Sequence, residues 1–206
     1  MRTWTRAVPV TAGALVLALA LTGCNSSGKK GHKSDSDSSS SSSSSGGSGS
    51  AKEKTTYRLG QASPVQKGDS EGAKGSFTVT PTKVQTGTKA DMANSGLEKD
   101  KDEGPKIPVY VWSTITHKSG EPMKVGDMDD DLQVKTDKGQ RTKALIVLMG
   151  EAKWPNCPSF DRDEKLKAGQ SKKICTAFLV PEGQKATAVE LSRGFYKKPL
   201  QWRADS

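Results

Sequence analysis

The sequence predicts an all-β domain built as an antiparallel β-sandwich of about seven strands. Three observations carry this. Short runs rich in Val, Ile, Thr and aromatic residues alternate apolar with polar positions, the period of a strand with one buried face. Clusters of Gly, Pro, Asp and Lys separate those runs at regular intervals and supply turns. The three-to-four-residue apolar spacing of an amphipathic helix is scarce.

The first run, Gly75 to Val84, carries Phe77, Val79 and Val84, and Pro81 marks an edge or a bend because it has no amide to donate. Gly72-Ala73-Lys74-Gly75-Ser76 lacks the Gly-Lys-Ser/Thr ending of a phosphate loop and reads as a turn. Residues 90–106 are polar, with mixed charges from Glu98 to Glu103, and read as a long exposed loop. Ile107 to Thr116 is the strongest strand. Ile107, Val109, Val111 and Ile115 share one face while Tyr110 and Trp112 stand on the other, which places it centrally with apolar contacts on both sides.

Lys118-Ser119-Gly120-Glu121-Pro122 is a turn, Leu132 to Thr136 a short strand, and Asp137-Lys138-Gly139-Gln140 a hairpin turn. Thr142 to Met149 is nearly continuous in apolar character. Residues 150–165 are irregular and hold Trp154-Pro155-Asn156-Cys157-Pro158. Lys172 to Val180 sets Ile174, Phe178 and Val180 against Cys175, Ala177 and Leu179, and Pro181-Glu182-Gly183 ends it. Ala186 to Leu191 and Phe195 to Trp202 complete the strands.

Leu166-Lys167-Ala168-Gly169-Gln170, followed by the strand from Lys173 to Pro181-Glu182-Gly183, resembles a recurring signature: a leucine–x–x–glycine–polar turn before a strand ending in Pro-x-Gly. The strand from Val109 to Thr116 and the Asp137-Lys138-Gly139 hairpin sit where the same family has them. That family is the immunoglobulin-like domain of unknown function common in Gram-positive lipoproteins, related in fold to a small secreted mycobacterial antigen. The likeness spans most of residues 75–202. It implies an immunoglobulin-like sandwich in a bacterial lipoprotein of Gram-positive, actinobacterial origin. It implies no activity, and the cysteine pair and the 90–106 loop do not map onto it.

Ahead of the domain, Arg2 and Arg6 precede an apolar run from Ala7 to Leu21, the pattern of a secretory signal peptide. The run is short of the ~20 residues that span a bilayer core, and Pro9 and Gly13 interrupt it. Leu21-Thr22-Gly23-Cys24 resembles a bacterial lipobox, which implies cleavage before Cys24 and diacylation of its sulfur. Acyl chains contribute about 0.8 kcal/mol per buried methylene, so two or three of them hold a protein at a membrane surface. The serine run from Ser38 to Ser45 and Gly46-Gly47-Ser48-Gly49-Ser50 cannot bury apolar surface and read as a flexible tether. About 26 such residues reach roughly 28 Å. The expected organisation is a signal peptide over 1–23, the lipidated Cys24 and tether over 24–55, and the sandwich over 56–206.

The chain carries a formal net charge of +9, of which Arg2 and Arg6 supply two. A basic exported domain is drawn to anionic headgroups or wall phosphates. Nucleic acid is not an expected partner, because the protein is exported and its lysines are scattered among acids. With Cys24 lipidated, Cys157 and Cys175 remain as an even pair in an oxidising compartment and are predicted to form a disulfide. Their spacing is not that of a redox dithiol, and His117, the domain's single histidine, completes no zinc set. Beside Lys118 in a turn, His117 reads as a solvated surface residue.

No Gly-x-Ser-x-Gly elbow and no phosphate-loop signature occurs, so neither catalysis nor a cofactor is expected. Asp127, Asp129, Asp130 and Asp131 are the best metal candidates, since calcium takes hard oxygens on a bent loop. The competing reading is a solvated acidic turn, because Leu132 and Val134 begin a strand at once. Asp161, Asp163 and Glu164 form a weaker group. Trp154 and Trp202 are candidate anchors for a binding partner. They equally suit the core of a sandwich poor in aromatics.

The function expected is a cell-membrane lipoprotein on the extracytoplasmic side whose sandwich is a non-catalytic binding or interaction module. Its partner would be a cell-surface protein or an anionic wall polymer. A solute-binding or sensing lipoprotein serving a transporter is the second reading, opposed by size: two-lobed receptors need about 250 residues. An exported enzyme is the third. Palmitate label is expected on the wild-type chain and absent from Cys24→Ala; label that persists in the variant overturns the anchor.

Overall fold

The computed structural model describes residues 53–97, 104–147 and 151–204. The expected signal peptide, Cys24 and the serine run lie outside the described residues. Ser50–Ser206 forms one compact unit. In chain order the elements are β1 (Thr56–Arg58), β2 (Gln66–Ser70), β3 (Ala73–Thr86), α1 (Lys89–Asn94), β4 (Lys106–Gly120), β5 (Met123–Lys124), α2 (Val125–Asp129), β6 (Leu132–Thr136), β7 (Arg141–Lys143), β8 (Lys165–Leu166), β9 (Ser171–Pro181), β10 (Ala186–Leu191) and β11 (Leu200–Arg203).

One sheet has the order β1-β11-β10-β6-β7 and the other β2-β3-β4-β9, with β5 and β8 paired separately. Every pairing is antiparallel except β1 on β11. After β4 the chain crosses to β6, returns from β7 to β9, crosses again to β10 and closes with the β10–β11 hairpin. This is the Greek-key path of an immunoglobulin-like sandwich.

The core lies between the two sheets. Val79, Val109, Val111, Ile115, Phe178 and Val180 from one meet Leu132, Val134, Val189, Leu191, Leu200 and Trp202 from the other. Each such side chain, fully buried, contributes about 1.5–3 kcal/mol. β4 pairs along its length with both β3 and β9, as its two apolar faces require. Next to β4 the register of β3 slips between Pro81 and Lys83, the bend expected at the proline.

Four local expectations are corrected. Residues 90–106 are not wholly loop, because α1 begins there under a capping box: Asp91 N–H donates to Thr88 Oγ1 at 3.0 Å, and the Asp91 carboxylate accepts from Thr88 N–H at 2.8 Å. Gly75 lies within β3 rather than in the turn, which is made by Glu71 and Gly72 at φ 54° and 87°. A Cβ on Gly75 would lie 2.5 Å from Met123 Sδ and 2.8 Å from His117 Nε2, so only glycine lets those side chains pack there. β7 stops at Lys143 because the chain then changes sheets: Ala144 bridges Phe178, and Leu145 N–H donates to Ala177 O at 2.9 Å. The last strand starts at Leu200, not Phe195, and residues 192–199 form the hairpin tip.

Phe178→Ala is expected to lower stability by about 3–5 kcal/mol through loss of a buried ring and the cavity left behind. Phe195→Ala, on the exposed tip, should stay within about 0.5 kcal/mol. Urea unfolding midpoints of the two variants check the contrast.

Candidate functional site

The segment 151–164 acts as a strap, and its residues 154–157 lie against the outer face of β4 and β9. Cys157 and Cys175 form the expected disulfide, with Cα atoms 5.3 Å apart. It ties the strap to β9 across a sequence separation of 18. A loop of that length stabilises the fold by roughly 3 kcal/mol in the chain-entropy model. Lys153 N–H donates to Ser95 O at 2.9 Å, fixing the start of the strap beside the end of α1.

Under the strap, Tyr110, Cys157, Cys175 and Ala177 form a second small core, with Trp112 and Trp154 packed against it. Both indoles meet Tyr110 edge-on, Trp154 with ring centroids 5.8 Å apart and Trp112 at 6.2 Å. Edge-to-face pairs add about 0.5–1.5 kcal/mol beyond area burial. The Lys83 ammonium lies 4.3 Å from the centre of the Trp112 ring. Trp154 and Trp112 remain half-buried, so part of each indole faces solvent from a covalently tied surface.

Trp202 does not belong to this surface, and its candidacy as an anchor is corrected. It is fully buried between the sheets, its indole N–H donates to Gln61 O at 2.8 Å, and its ring lies 5.6 Å from Tyr57. The alternation of β11 turns Leu200 and Trp202 inward together.

The four aspartates proposed for a metal are not brought together. Asp127 accepts from Ser70 Oγ. Asp129 is fully buried and accepts from Thr176 Oγ1 at 2.9 Å, with Arg162 Nη1 at 3.7 Å. Asp130 pairs with Arg162 Nη2. Asp131 is exposed, and its backbone carbonyl accepts from Ser192 N–H. These residues span a one-turn helix and its end, which fans the carboxylates out. Among the described residues, no three His, Cys, Asp or Glu side chains converge on a metal-sized site. Asp163 instead pairs with Lys124 at 3.0 Å and Glu164 with Lys172 at 2.6 Å.

His117 is corrected from surface to interior. It is fully buried, and neither ring nitrogen has a hydrogen-bond partner among the described residues. It continues the inward series of Val109, Val111, Ser113 and Ile115 on β4. Its ring fills space left by Gly75 on the neighbouring strand.

The sequence reading missed the β10–β11 tip. Phe195 and Tyr196 are 94% and 96% exposed and meet edge-to-face at 5.3 Å. Arg193 donates to Lys198 O at 2.6 and 3.0 Å, which holds the tip closed, and pairs with Glu53. That pairing keeps the Glu53 carboxyl below its ordinary range, with Lys197 adding to the effect. The signal was available in Gly194-Phe195-Tyr196-Lys197-Lys198: two adjacent rings cannot both face one core from a strand.

The chain is thus an immunoglobulin-like β-sandwich module with an aromatic strap face and an aromatic, basic hairpin tip. No family model and no curated protein matches its sequence. Among solved structures it is similar to MPT63, a secreted protein from Mycobacterium tuberculosis, at 14% identity and a TM-score of 0.47, with 74% of this chain and 99% of that chain covered.

Burial raises Asp129 from an ordinary 3.8 to about 6; the Thr176 hydrogen bond and Arg162 oppose the rise, and Asp130 adds to it. The folded state therefore holds this proton more tightly than the unfolded chain. Its stabilising effect is complete below about pH 4 and is lost as pH rises through about 6, by up to roughly 3 kcal/mol. Asp129→Asn should remove this part of the slope between pH 4 and 6.5 in urea unfolding measured across that range.

Proposed function

We propose that this chain is a cell-membrane lipoprotein, held on the extracytoplasmic side by acylated Cys24, whose sandwich is a non-catalytic binding module. The observation that supports it most is Trp154: half-buried, seated on Tyr110 and three residues from the disulfide that ties its loop to β9. Ordering a mobile side chain on binding costs about 0.5–1.5 kcal/mol, and a strap already fixed avoids much of that cost. Trp112 and the Lys83 ammonium beside it extend the same face. Aromatic area with a cation at its rim suits a protein surface or an anionic wall polymer.

Chemical cross-linking on intact cells tests the reading with the full chain. Trp154→Ala should deplete specific cross-linked species at least tenfold, while stability in urea falls only by the roughly 1–3 kcal/mol that losing its packing on Tyr110 costs and the domain stays folded. Equal cross-linking in both forms would remove Trp154 from the binding face. Wall retention equal in both forms and abolished by salt would make the basic surface the determinant instead.

A further inference from the structure

We propose that the β10–β11 tip, with Phe195, Tyr196, Lys197 and Lys198, is a second membrane contact that seats the domain on an anionic phospholipid surface. The inference rests on the lipid-anchor reading of Cys24 and adds an orientation to it. Scattered exposed apolar residues are ordinary on protein surfaces. Two adjacent, almost fully exposed rings at the point of a hairpin are not scattered, and lysines follow them directly. Aromatic rings with flanking cations suit the headgroup layer, where an apolar body and a polar rim are both satisfied.

Topology brings this tip to the end of the sandwich where the described residues begin. Leu191 faces Leu200 at the base of the tip, and Thr56 on β1 is in register with Gln201 on β11. Gln201 N–H donates to Thr55 O at 2.8 Å, and Glu53 is paired to Arg193 of the tip itself. Glu53, where the described residues begin, therefore sits against Arg193 at the base of this tip. The β6–β7 turn lies at the far end, because Thr136 is in register with Ala186 and Leu132 with Leu191.

Charge at the tip end also fits. Lys54, Lys197 and Lys198 are exposed there. Glu53 is matched by Arg193 and Asp130 by Arg162, while Asp131 at the hairpin base is exposed. A lipid anchor alone would leave the orientation of the domain unset. An aromatic, basic tip would hold one end down.

The test uses the full chain in bacterial cells, with the photo-cross-linking residue benzoylphenylalanine in place of Phe195, Tyr196 or, as control, Lys138 in the far turn. Irradiation should give phospholipid adducts at 195 and 196 at least tenfold above those at 138. Lys197→Glu with Lys198→Glu should cut the yield at 195 by at least about five-fold, since each lysine near an anionic surface is worth about that factor. Palmitate on Cys24 is followed in the same samples. Palmitate without lipid adducts keeps the anchor and overturns the tip contact. Lipid adducts without palmitate keep the tip contact and overturn the anchor. Protein adducts in place of lipid overturn the membrane assignment of the tip.

Discussion

The structure depends on one strand being apolar on both faces. The inward face of β4 presents Val109, Val111 and Ile115, and this half builds the sandwich core. Its outward face presents Tyr110 and Trp112, and a two-layer fold offers nothing to cover them. A tyrosine left in water on a central strand forfeits the burial of a large ring. Residues 154–157 of the strap supply that cover, with the disulfide to β9 and Trp154 seated on Tyr110; farther along, Phe160 packs against the main core and Arg162 docks against α2.

The strap is tied in different ways along its length. Near its middle the tie is covalent, through Cys157. At its far end it is electrostatic: Arg162 reaches Asp130, Asp129 and the Gly126 carbonyl, while Gly126 N–H donates back to Arg162 O at 2.9 Å. A Cβ on Gly126 would stand 3.0 Å from the Arg162 side chain, so glycine lets the two segments approach. The acidic residues that look like a metal site in sequence thus serve partly as the receptor for this arginine. The other sheet closes its outer face more simply. Buried Glu190 accepts from Arg141 Nε at 2.6 Å and Nη2 at 3.3 Å. A bidentate pair suffices there because the side chains involved are polar, whereas Tyr110 needs apolar cover.

What the sequence made legible was whatever depends on a period of two. The alternations of β4, β6, β9 and β10 put the right residues inward, and an even pair of cysteines left after Cys24 pointed to the bond between Cys157 and Cys175. The charged neighbour and nearby glycine of His117 mimic a surface turn, whereas the alternation that runs unbroken from Val109 to His117 turns its ring inward. Helix α1 was hidden because it buries no residue and so leaves no apolar stripe; only Thr88 and Asp91, capping each other, mark it. The acidic group could not be resolved from spacing. A single helical turn rotates successive side chains by about 100°, so closeness in sequence does not bring carboxylates together. Trp154 and Trp202 are equivalent by composition, and only β11's alternation with Leu200 separates the core ring from the strap ring.

The two aromatic surfaces belong to different sheets, and this bears on how they work together. The strap face lies outside β4 and β9, whereas the tip joins β10 to β11, with the core between the sheets. A partner on Trp154 and Trp112 would therefore not have to displace the tip, nor the tip the partner. The tip is also the less costly of the two to use. Phe195 and Tyr196 make no core contact that must be broken, and Arg193 already fixes the loop that carries them. Trp154 is different: the part of its ring that holds Tyr110 in place is unavailable to a partner, so only its outer edge can serve. The strap is thus suited to selective contact over a small area and the tip to unselective contact with an extended surface. That division fits the proposed roles, in which one end is held down and the strap face recognises a partner.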